Sequence, residues 1–157
     1  MMNDESFNHL LKNLEMIVEN KKQSDPLADK TLAFAIRIVN LNRYLTEQKK
    51  EYVLSKQVLR SGTNPGAMVR EAANAESGAD FIHKLAIGQK EISETLYWLE
   101  LLSKTDYLTE IEYQSLCKDG IEILKIIRSS IITKKQRLAA KITSVILLIA
   151  AAAFIIY

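Results

Sequence analysis

The stretch from residue 53 to residue 102 constrains the fold more than any other part of the sequence. It reads VLSKQVLRSGTNPGAMVREAANAESGADFIHKLAIGQKEISETLYWLELL, and its apolar residues recur at the spacing of an amphipathic helix. Ser77, followed by Asp80, can cap a new helix, so the stretch predicts two long helices joined by a short turn. Pro65 has no backbone N–H, and we therefore expect the first helix to kink or loosen near residues 61–65.

The remainder of the chain is also helical in composition and spacing. Only two prolines and five glycines occur among 157 residues, which is too few for the turns of an all-β chain. Apolar spacing predicts further helices over about residues 5–20, 26–48 and 110–134. Since short connections join antiparallel neighbours, we expect an all-α fold, namely an antiparallel up-and-down four-helix bundle over residues 25–134. An N-terminal amphipathic helix in residues 1–24 and a C-terminal hydrophobic helix in residues 135–157 would be additions to it.

The predicted helix over residues 26–48 carries apolar residues on two opposite sides. One stripe consists of Leu32, Ala35, Ile36 and Val39, and the other consists of Phe34, Ile38, Leu41 and Leu45. One stripe can face the core, while the other needs cover from the N-terminal helix or from another subunit. We expect the second stripe to be the contact of a homo-oligomer.

The C-terminal residues 142–157 read ITSVILLIAAAAFIIY and contain no charge. Counted from Leu138, the run spans about 30 Å as a helix, which is the thickness of a hydrocarbon core. Basic residues on its N-terminal side place the bundle at the cytoplasmic face of the inner membrane under the positive-inside rule. We expect a transmembrane tail anchor; the alternatives are a helix buried inside an oligomer of a soluble cytoplasmic protein and an interfacial segment. The predicted anchor residues are Ile142, Val145, Ile146, Leu147, Leu148, Ile149, Phe154, Ile155, Ile156 and Tyr157.

The charge of the chain gives only a weak signal for nucleic acid. The net charge is +2, which is not that of a strongly basic nucleic-acid binder. A basic cluster nevertheless surrounds the first turn of the bundle, and it consists of Arg43, Lys49, Lys50, Lys56 and Arg60. Repeated around a ring of subunits, this cluster could contact phosphates; the alternative is a solvated helix end.

The sequence offers no catalytic, cofactor or metal site. Cys117 is the single cysteine, and its place on an apolar face predicts a core residue. Asp80 and His83 share one helix face, but a second such pair, which a di-metal bundle site needs, is missing. We expect Glu91 and Glu94 to form ion pairs with Arg60, Arg70 and Lys84, and we expect no enzymatic activity and no small-molecule substrate.

The stretch LRSGTNPGAMVREAANAESGADFIHKL, with KEISETLYWLELL after it, resembles a bacterial four-helix-bundle family first met in proteins encoded within intervening sequences of 23S ribosomal RNA genes. The resemblance covers about residues 29–132, and Met68 departs from it where a polar residue is usual. The matching residues are Arg60, Ser61, Gly62, Gly66, Ala67, Arg70, Glu71, Ala72, Asp80, Phe81, Lys84, Glu91, Glu94, Trp98 and Leu99.

The resemblance implies an antiparallel bundle that forms ring-like homo-oligomers, often pentamers, without catalytic residues. A related branch, the accessory proteins of diversity-generating retroelements, binds a reverse transcriptase and nucleic acid. We therefore expect a non-enzymatic homo-oligomeric scaffold held at the membrane by its C-terminal helix. The alternative is an accessory protein of nucleic acid or reverse transcriptase, with the apolar tail packed inside the oligomer.

Overall fold

The computed structural model describes residues 25–156 of the chain, and it describes side chains as far as residue 149. These residues form four helices, α1 (Pro26–Glu47), α2 (Leu54–Ala73), α3 (Gly78–Lys104) and α4 (Glu110–Ile156). The all-α prediction is confirmed for this part of the chain. The predicted N-terminal helix, in residues 1–24, lies outside the described residues.

The four helices pack as an up-and-down bundle. Each helix lies against the next one in the chain, and α4 closes the bundle against α1 with a sparser contact. Each helix contributes one apolar stripe to a common core, whose fully buried members include Phe34, Leu85, Ile92, Leu99 and Ile127. The amphipathic spacing of the sequence therefore accounts for the bundle.

The helices begin at caps that the sequence supplies. Asp25 accepts a hydrogen bond of 2.9 Å from the first turn of α1, and Ser77 Oγ accepts the N–H of Asp80 at 3.0 Å. Thr109 and Glu112 form a reciprocal pair before α4, in which the N–H of each residue donates to the side chain of the other at 2.9 and 3.3 Å. These bonds satisfy N–H groups that have no partner inside the helix.

Two of the three turns reverse the chain in the same way. Lys50 (φ 55°) and Asp106 (φ 61°) adopt the left-handed conformation. The N–H of the following residue donates in each case to a carbonyl in the last turn of the preceding helix, that of Leu45 or Leu102, at 2.9 Å. The α3–α4 turn, in which the N–H of Asp106 also donates to the carbonyl of Ser103 at 3.3 Å, is a Schellman motif; in the α1–α2 turn the bond to Leu45 spans one residue more. Both turns lie at one end of the bundle, and the α2–α3 turn lies at the other end with the start of α1.

Glu51 caps α2 from a position before the helix. The N-cap residue Val53 offers no side-chain acceptor, and the carboxylate of Glu51 instead accepts the N–H groups of Val53, Leu54 and Ser55 at 2.9, 2.8 and 2.6 Å. Burial acts to raise the pKa of Glu51, but the three N–H groups together outweigh it and lower the pKa. Glu51 is therefore a buried and ionised cap.

α2 and α1 approach each other most closely at Gly62. A Cβ atom on Gly62 would lie 2.8 Å from both Cγ atoms of Ile38, so only glycine fits there without a shift of the neighbour. Pro65 lies buried inside α2. The helix continues through the proline, and the loosening expected there does not end it.

The structure corrects the prediction of the subunit contact on α1. Phe34, Ile38, Leu41 and Leu45 lie in the core of the single chain, with at most 7% of each residue exposed. They already pack against the other helices, so a second subunit reaches them only if the bundle opens. The exposed stripe is the opposite one, which contains Leu32 and Ile36.

The structure also corrects the prediction of a transmembrane C-terminal helix. α4 runs without a break for 47 residues, from Glu110 to Ile156. Across the part of the chain that the structure describes, no helix combines the length and the apolarity that a membrane crossing needs. The anchor residues with described side chains, Ile142 and residues 145–149, follow a basic segment on this helix.

The remaining residues of the predicted anchor lie outside the described side chains. They are Phe154, Ile155, Ile156 and Tyr157.

Candidate assembly surface on the C-terminal helix

α4 remains packed on the bundle as far as Leu138. A Cβ atom on Gly78, at the start of α3, would lie only 2.9 Å from Cδ2 of Leu138. One turn earlier, the ammonium group of Lys134 lies 5.0 Å from the centre of the Phe81 ring, which is within cation–π range. These contacts hold α4 against the N-terminal end of α3. We call residues 139–156, which follow them, the α4 extension.

The α4 extension exposes a large apolar surface. All of its described side chains, over residues 139–149, are exposed. Its large apolar side chains are between 54% and 69% exposed. They are Ile142, Val145, Ile146, Leu147, Leu148 and Ile149. Because residues 145–149 are consecutive, they surround the helix, and no polar side remains for water.

The two hydroxyl groups of the α4 extension are bonded within the helix. Thr143 Oγ1 donates to the carbonyl of Ala139 at 3.1 Å, and Ser144 Oγ donates to the carbonyl of Ala140 at 2.9 Å. A buried hydroxyl group costs free energy mainly when it lacks a partner. The extension can therefore enter an apolar environment without leaving these groups unsatisfied.

A second exposed apolar surface lies on α1. Leu32 and Ile36 are 49% and 53% exposed, and they lie one helical turn apart on the outer side of the helix. The sequence shows both stripes of α1 as apolar, so spacing alone did not identify the outer one. Packing distinguishes the two stripes, because the inner one, which continues through Leu27 and Thr31, is buried.

The predicted nucleic-acid residues lie together at one end of the bundle, around the α1–α2 turn. Arg43, Lys49, Lys50, Lys56 and Arg60 are all exposed. Lys49 lies over the ring of Tyr44, with its Nζ atom 5.7 Å from the ring centre. The five residues lie on the end of α1, on the turn and on the first two turns of α2.

Acidic residues share this end of the bundle. The α3–α4 turn contributes Asp106, Glu110 and Glu112, and the charge of Lys49 is one of the causes that lower the pKa of Glu112, after the hydrogen bonds from Thr109. Sequence reasoning missed these neighbours, because they follow in the chain about 60 residues after the basic cluster. The end of the bundle is therefore mixed in charge.

The predicted ion pairs join α2 to α3 in part. Arg60 lies 3.7 Å from Glu94, and the indole N–H of Trp98 donates to the same carboxylate at 3.1 Å. Further along the two helices, Lys84 donates to Glu71 at 2.7 Å; this hydrogen bond and the charge of Glu71 raise the pKa of Lys84.

Arg70 and Glu91 do not follow the ion-pair prediction. Arg70 donates to the carbonyl of Gly66, in its own helix, at 2.8 Å. The Oε2 atom of Glu91 is buried without a hydrogen-bond partner. The ion pairs across the α2–α3 seam are thus those of Glu71 and Glu94, and Glu91 contributes none.

The described residues hold no metal-binding cluster, and Cys117 is partly buried among them. No group of three or more His, Cys, Asp or Glu residues lies close enough to hold a metal ion in the part of the chain that the structure describes. Cys117 packs against the core, and burial raises the pKa of its thiol, although the hydrogen bond with Tyr113 opposes this effect. A raised pKa disfavours the reactive thiolate at neutral pH.

The grooves on the described surface are open and shallow. One groove of about 420 Å³ lies between α1 and α4. Arg37 crosses one end of this groove, where it contacts the Asp119 carboxylate and donates to Ser115 Oγ at 2.9 Å. The guanidinium group is thereby engaged in joining the two helices. The described surface is suited to association through its apolar side chains, and it carries charged groups at the bundle ends.

Comparisons with known proteins agree with this bundle. A family model described as 23S rRNA-intervening sequence protein matches residues 26–129. A crystal structure of a protein of unknown function from the S23 ribosomal protein family of Bacteroides thetaiotaomicron is similar, with 54% sequence identity and a TM-score of 0.67. The similarity covers 67% of this chain and 97% of the other. Among curated proteins, no match is found. The α4 extension lies outside the matched residues.

Proposed function

The chain belongs to the 23S rRNA-intervening sequence protein family, and we propose that it acts as a non-enzymatic, homo-oligomeric scaffold. Its subunits assemble through the α4 extension. The bundle of residues 25–138 forms the body of each subunit and carries the surfaces that bind partners. The family resemblance makes a pentameric ring the expected assembly.

The exposure of the α4 extension carries this proposal. Full burial of a Leu or Ile side chain contributes roughly 1.5–3 kcal/mol, and the six large apolar side chains of the extension are each more than half exposed. Their burial would contribute on the order of 1 kcal/mol each, or several kcal/mol per chain. This is comparable with the cost of association, about 4–15 kcal/mol, so several extensions packed together can offset it.

The test compares the full-length chain with a chain that ends at Leu138, the last residue packed on the bundle. Light scattering gives the mass of each in solution, and thermal unfolding followed by circular dichroism reports whether the bundle is intact. We expect the full-length chain to form an oligomer and the shortened chain to be a monomer of unchanged bundle structure. If the particles of the two chains contain the same number of subunits, assembly through the extension is contradicted.

A point substitution makes the same test without shortening the chain. Ile146→Glu places a charge on the apolar extension, and we expect it to shift the full-length chain towards monomer, because burying an unpaired carboxylate is costly. Gln136→Glu is the matched control, since it adds the same charge at an exposed polar position just before the extension. If both variants keep the mass of the parent chain, the extension is not the contact.

A second candidate function is that of an accessory protein for nucleic acid or a reverse transcriptase. The observation that favours it is the set of five exposed basic residues around the α1–α2 turn. Repeated in a ring, these residues would form a basic rim that contacts phosphates, with the extensions packed inside the oligomer. Salt-dependent binding of RNA by the full-length chain would support this function.

A further inference from the structure

The outer face of α1 is apolar at its centre. It consists of four residues that recur at helical spacing on the side opposite the buried stripe, namely Asp29, Leu32, Ile36 and Val39. A surface helix ordinarily turns polar residues away from the core, but Leu32 and Ile36 are each about half exposed here. Covering this face with another apolar segment would therefore lower the free energy.

The outer face of α1 begins with an available carboxylate. Asp29 is exposed and lies one turn before Leu32. The neighbouring basic residue, Lys30, is paired with Glu122 on α4 at 2.9 Å, and Asp29 takes part in no salt bridge within the part of the chain that the structure describes. A cationic group of a second molecule can therefore approach Asp29 while the apolar side chains beside it are covered.

The α4 extension carries the complementary pattern on one of its sides. Lys141, Val145 and Leu148 recur there at helical spacing. Lys141 is exposed and forms no salt bridge with the other described residues, and no acidic residue follows Glu122 in the sequence. Val145 and Leu148 are 54% and 69% exposed. This side therefore offers a cation followed by two apolar side chains.

The two patterns match when the two helices run parallel. The large apolar residues follow Asp29 by three and seven residues on α1, and they follow Lys141 by four and seven residues on the extension. At about 1.5 Å per residue, the members of each pair stay level to within about 1.5 Å. Antiparallel helices would instead place Leu148 level with Asp29 and Lys141 level with Ile36, so that both charges would lose water without gaining a partner. The charges therefore fix the direction.

We infer that the α4 extension of one copy packs on the outer face of α1 of a second copy, with the two helices parallel. The inference rests on the proposed assembly through the extension, and it names the surface that receives the extension. Within one chain, α1 and α4 run in opposite directions, as the contacts of Lys30 with Glu122 and of Arg37 with Ser115 show. The two copies are therefore antiparallel, and each can receive the extension of the other.

Only one side of the extension takes part in this contact. Ile142, Ile146 and Ile149 lie on the other side of the helix. They stay exposed in the pair of copies, so further copies can join through them. The contact on α1 thus joins two copies without setting the size of the full assembly.

Disulfide formation between introduced cysteines tests this contact in the full-length chain. Cys117→Ser first removes the single native cysteine. Ile36→Cys with Leu148→Cys then places one thiol on each of the two faces. Ile36→Cys with Leu147→Cys is the matched control, because residue 147 points away from the side that carries Lys141.

A bond between residues 36 and 148 can only join two copies. The pairing of Lys30 with Glu122 puts Ile36 level with Leu116 in the same chain. Residue 148 lies 32 residues further along α4, which is about 48 Å. A disulfide needs Cα atoms about 4.4–6.8 Å apart, so the bond cannot form within one chain.

We expect mild oxidation to join residue 36 to residue 148 in most chains and to give little of the bond between residues 36 and 147. Mass spectrometry of the linked peptides identifies which cysteines have joined. Bonds only between two copies of residue 148, equal yields for the test and control pairs, or no bond to residue 36 would overturn the inference. Light scattering keeps the two proposals apart: an oligomer without the 36–148 bond contradicts only the contact on α1, whereas a monomer contradicts the assembly itself.

A charge reversal tests the same contact without oxidation. Asp29→Lys and Lys141→Asp each bring like charges together, and we expect each to raise the dissociation constant of the assembly by about twofold to fivefold, the range of a surface ion pair. The chain with both substitutions should return to the value of the parent chain. Lys135→Asp, at an exposed position on another side of α4, is the control, and adding Asp29→Lys to it should restore nothing. No recovery in the double reversal would contradict the pairing of Asp29 with Lys141.

Discussion

At the scale of single residues, Glu51 shows how one side chain can serve two elements. It ends the α1–α2 turn, where its N–H bonds to the carbonyl of Leu45, and its carboxylate caps α2. The sequence does not indicate this role, because capping side chains usually stand at the N-cap position and Glu51 lies two residues before it. Only the path of the turn brings the carboxylate back to the first N–H groups of α2.

We expect Glu51→Ala to lower the free energy of unfolding by about 1–2 kcal/mol at neutral pH, the usual effect of removing a helix cap. The folded-state pKa of Glu51 lies below its ordinary value, so its stabilisation is present above the unfolded pKa and is lost as pH falls through the folded pKa. The difference between parent and variant should therefore shrink in acid. Urea unfolding across this pH range measures it.

Glu47→Ala is the control for this experiment, because Glu47 is exposed in the last turn of α1. It should change the free energy of unfolding little. A loss for Glu51→Ala that stays constant in acid would show that the ionised carboxylate is not the source of the stabilisation.

At the scale of helices, the sequence predicts which elements form better than which sides they bury. The four helices of the bundle follow from apolar spacing and from the caps at Ser77 and Thr109. The buried side of α1 does not follow, because both of its stripes are apolar and only packing against α2 distinguishes them. The unbroken course of α4 was also missed, since the basic residues near 134–141 look like a boundary although each is compatible with a helix.

The close approach of α1 and α2 gives a prediction at this scale. We expect Gly62→Ala to destabilise the bundle by about 1–3 kcal/mol, the usual cost of overpacking a core, because the added Cβ would lie 2.8 Å from Ile38. Gly66→Ala is the matched control, since its Cβ would lie 3.5 Å or more from its neighbours. Alanine is the better helix former, so the control should be neutral or stabilising in thermal unfolding. Equal effects of the two substitutions would contradict the packing described here.

At the scale of the whole molecule, the two ends of the bundle differ in character. One end carries the α1–α2 and α3–α4 turns with mixed charges, and the other carries the α2–α3 turn, the start of α1 and the projecting extension. The sequence predicts the basic cluster and the apolar tail separately. It does not predict that acidic residues of the α3–α4 turn join the basic ones, because that neighbourhood depends on the antiparallel packing of four helices.

The mixed end gives a prediction about nucleic acid. If the basic rim binds RNA, Lys49→Glu together with Lys50→Glu should weaken binding of a single-stranded oligonucleotide. The slope of log K against log salt should also fall, by about 0.7 for each phosphate that the variant no longer neutralises. Lys90→Glu, at an exposed position on α3, is the control and should leave binding nearly unchanged. Equal weakening by the control, or no binding by the parent chain, would contradict an RNA-binding rim.

The unbroken course of α4 has a mechanical consequence. A single helix passes from the packed bundle into the extension without a hinge, so the 18 residues beyond Leu138 hold their far end about 27 Å from the bundle. A tilt of about 10° where the helix leaves the bundle would displace that end by about 5 Å over this length. The length of the extension thus sets how far the bundle stands from whatever the tip of the extension contacts. A small repacking around Leu138 would produce a larger movement at that tip.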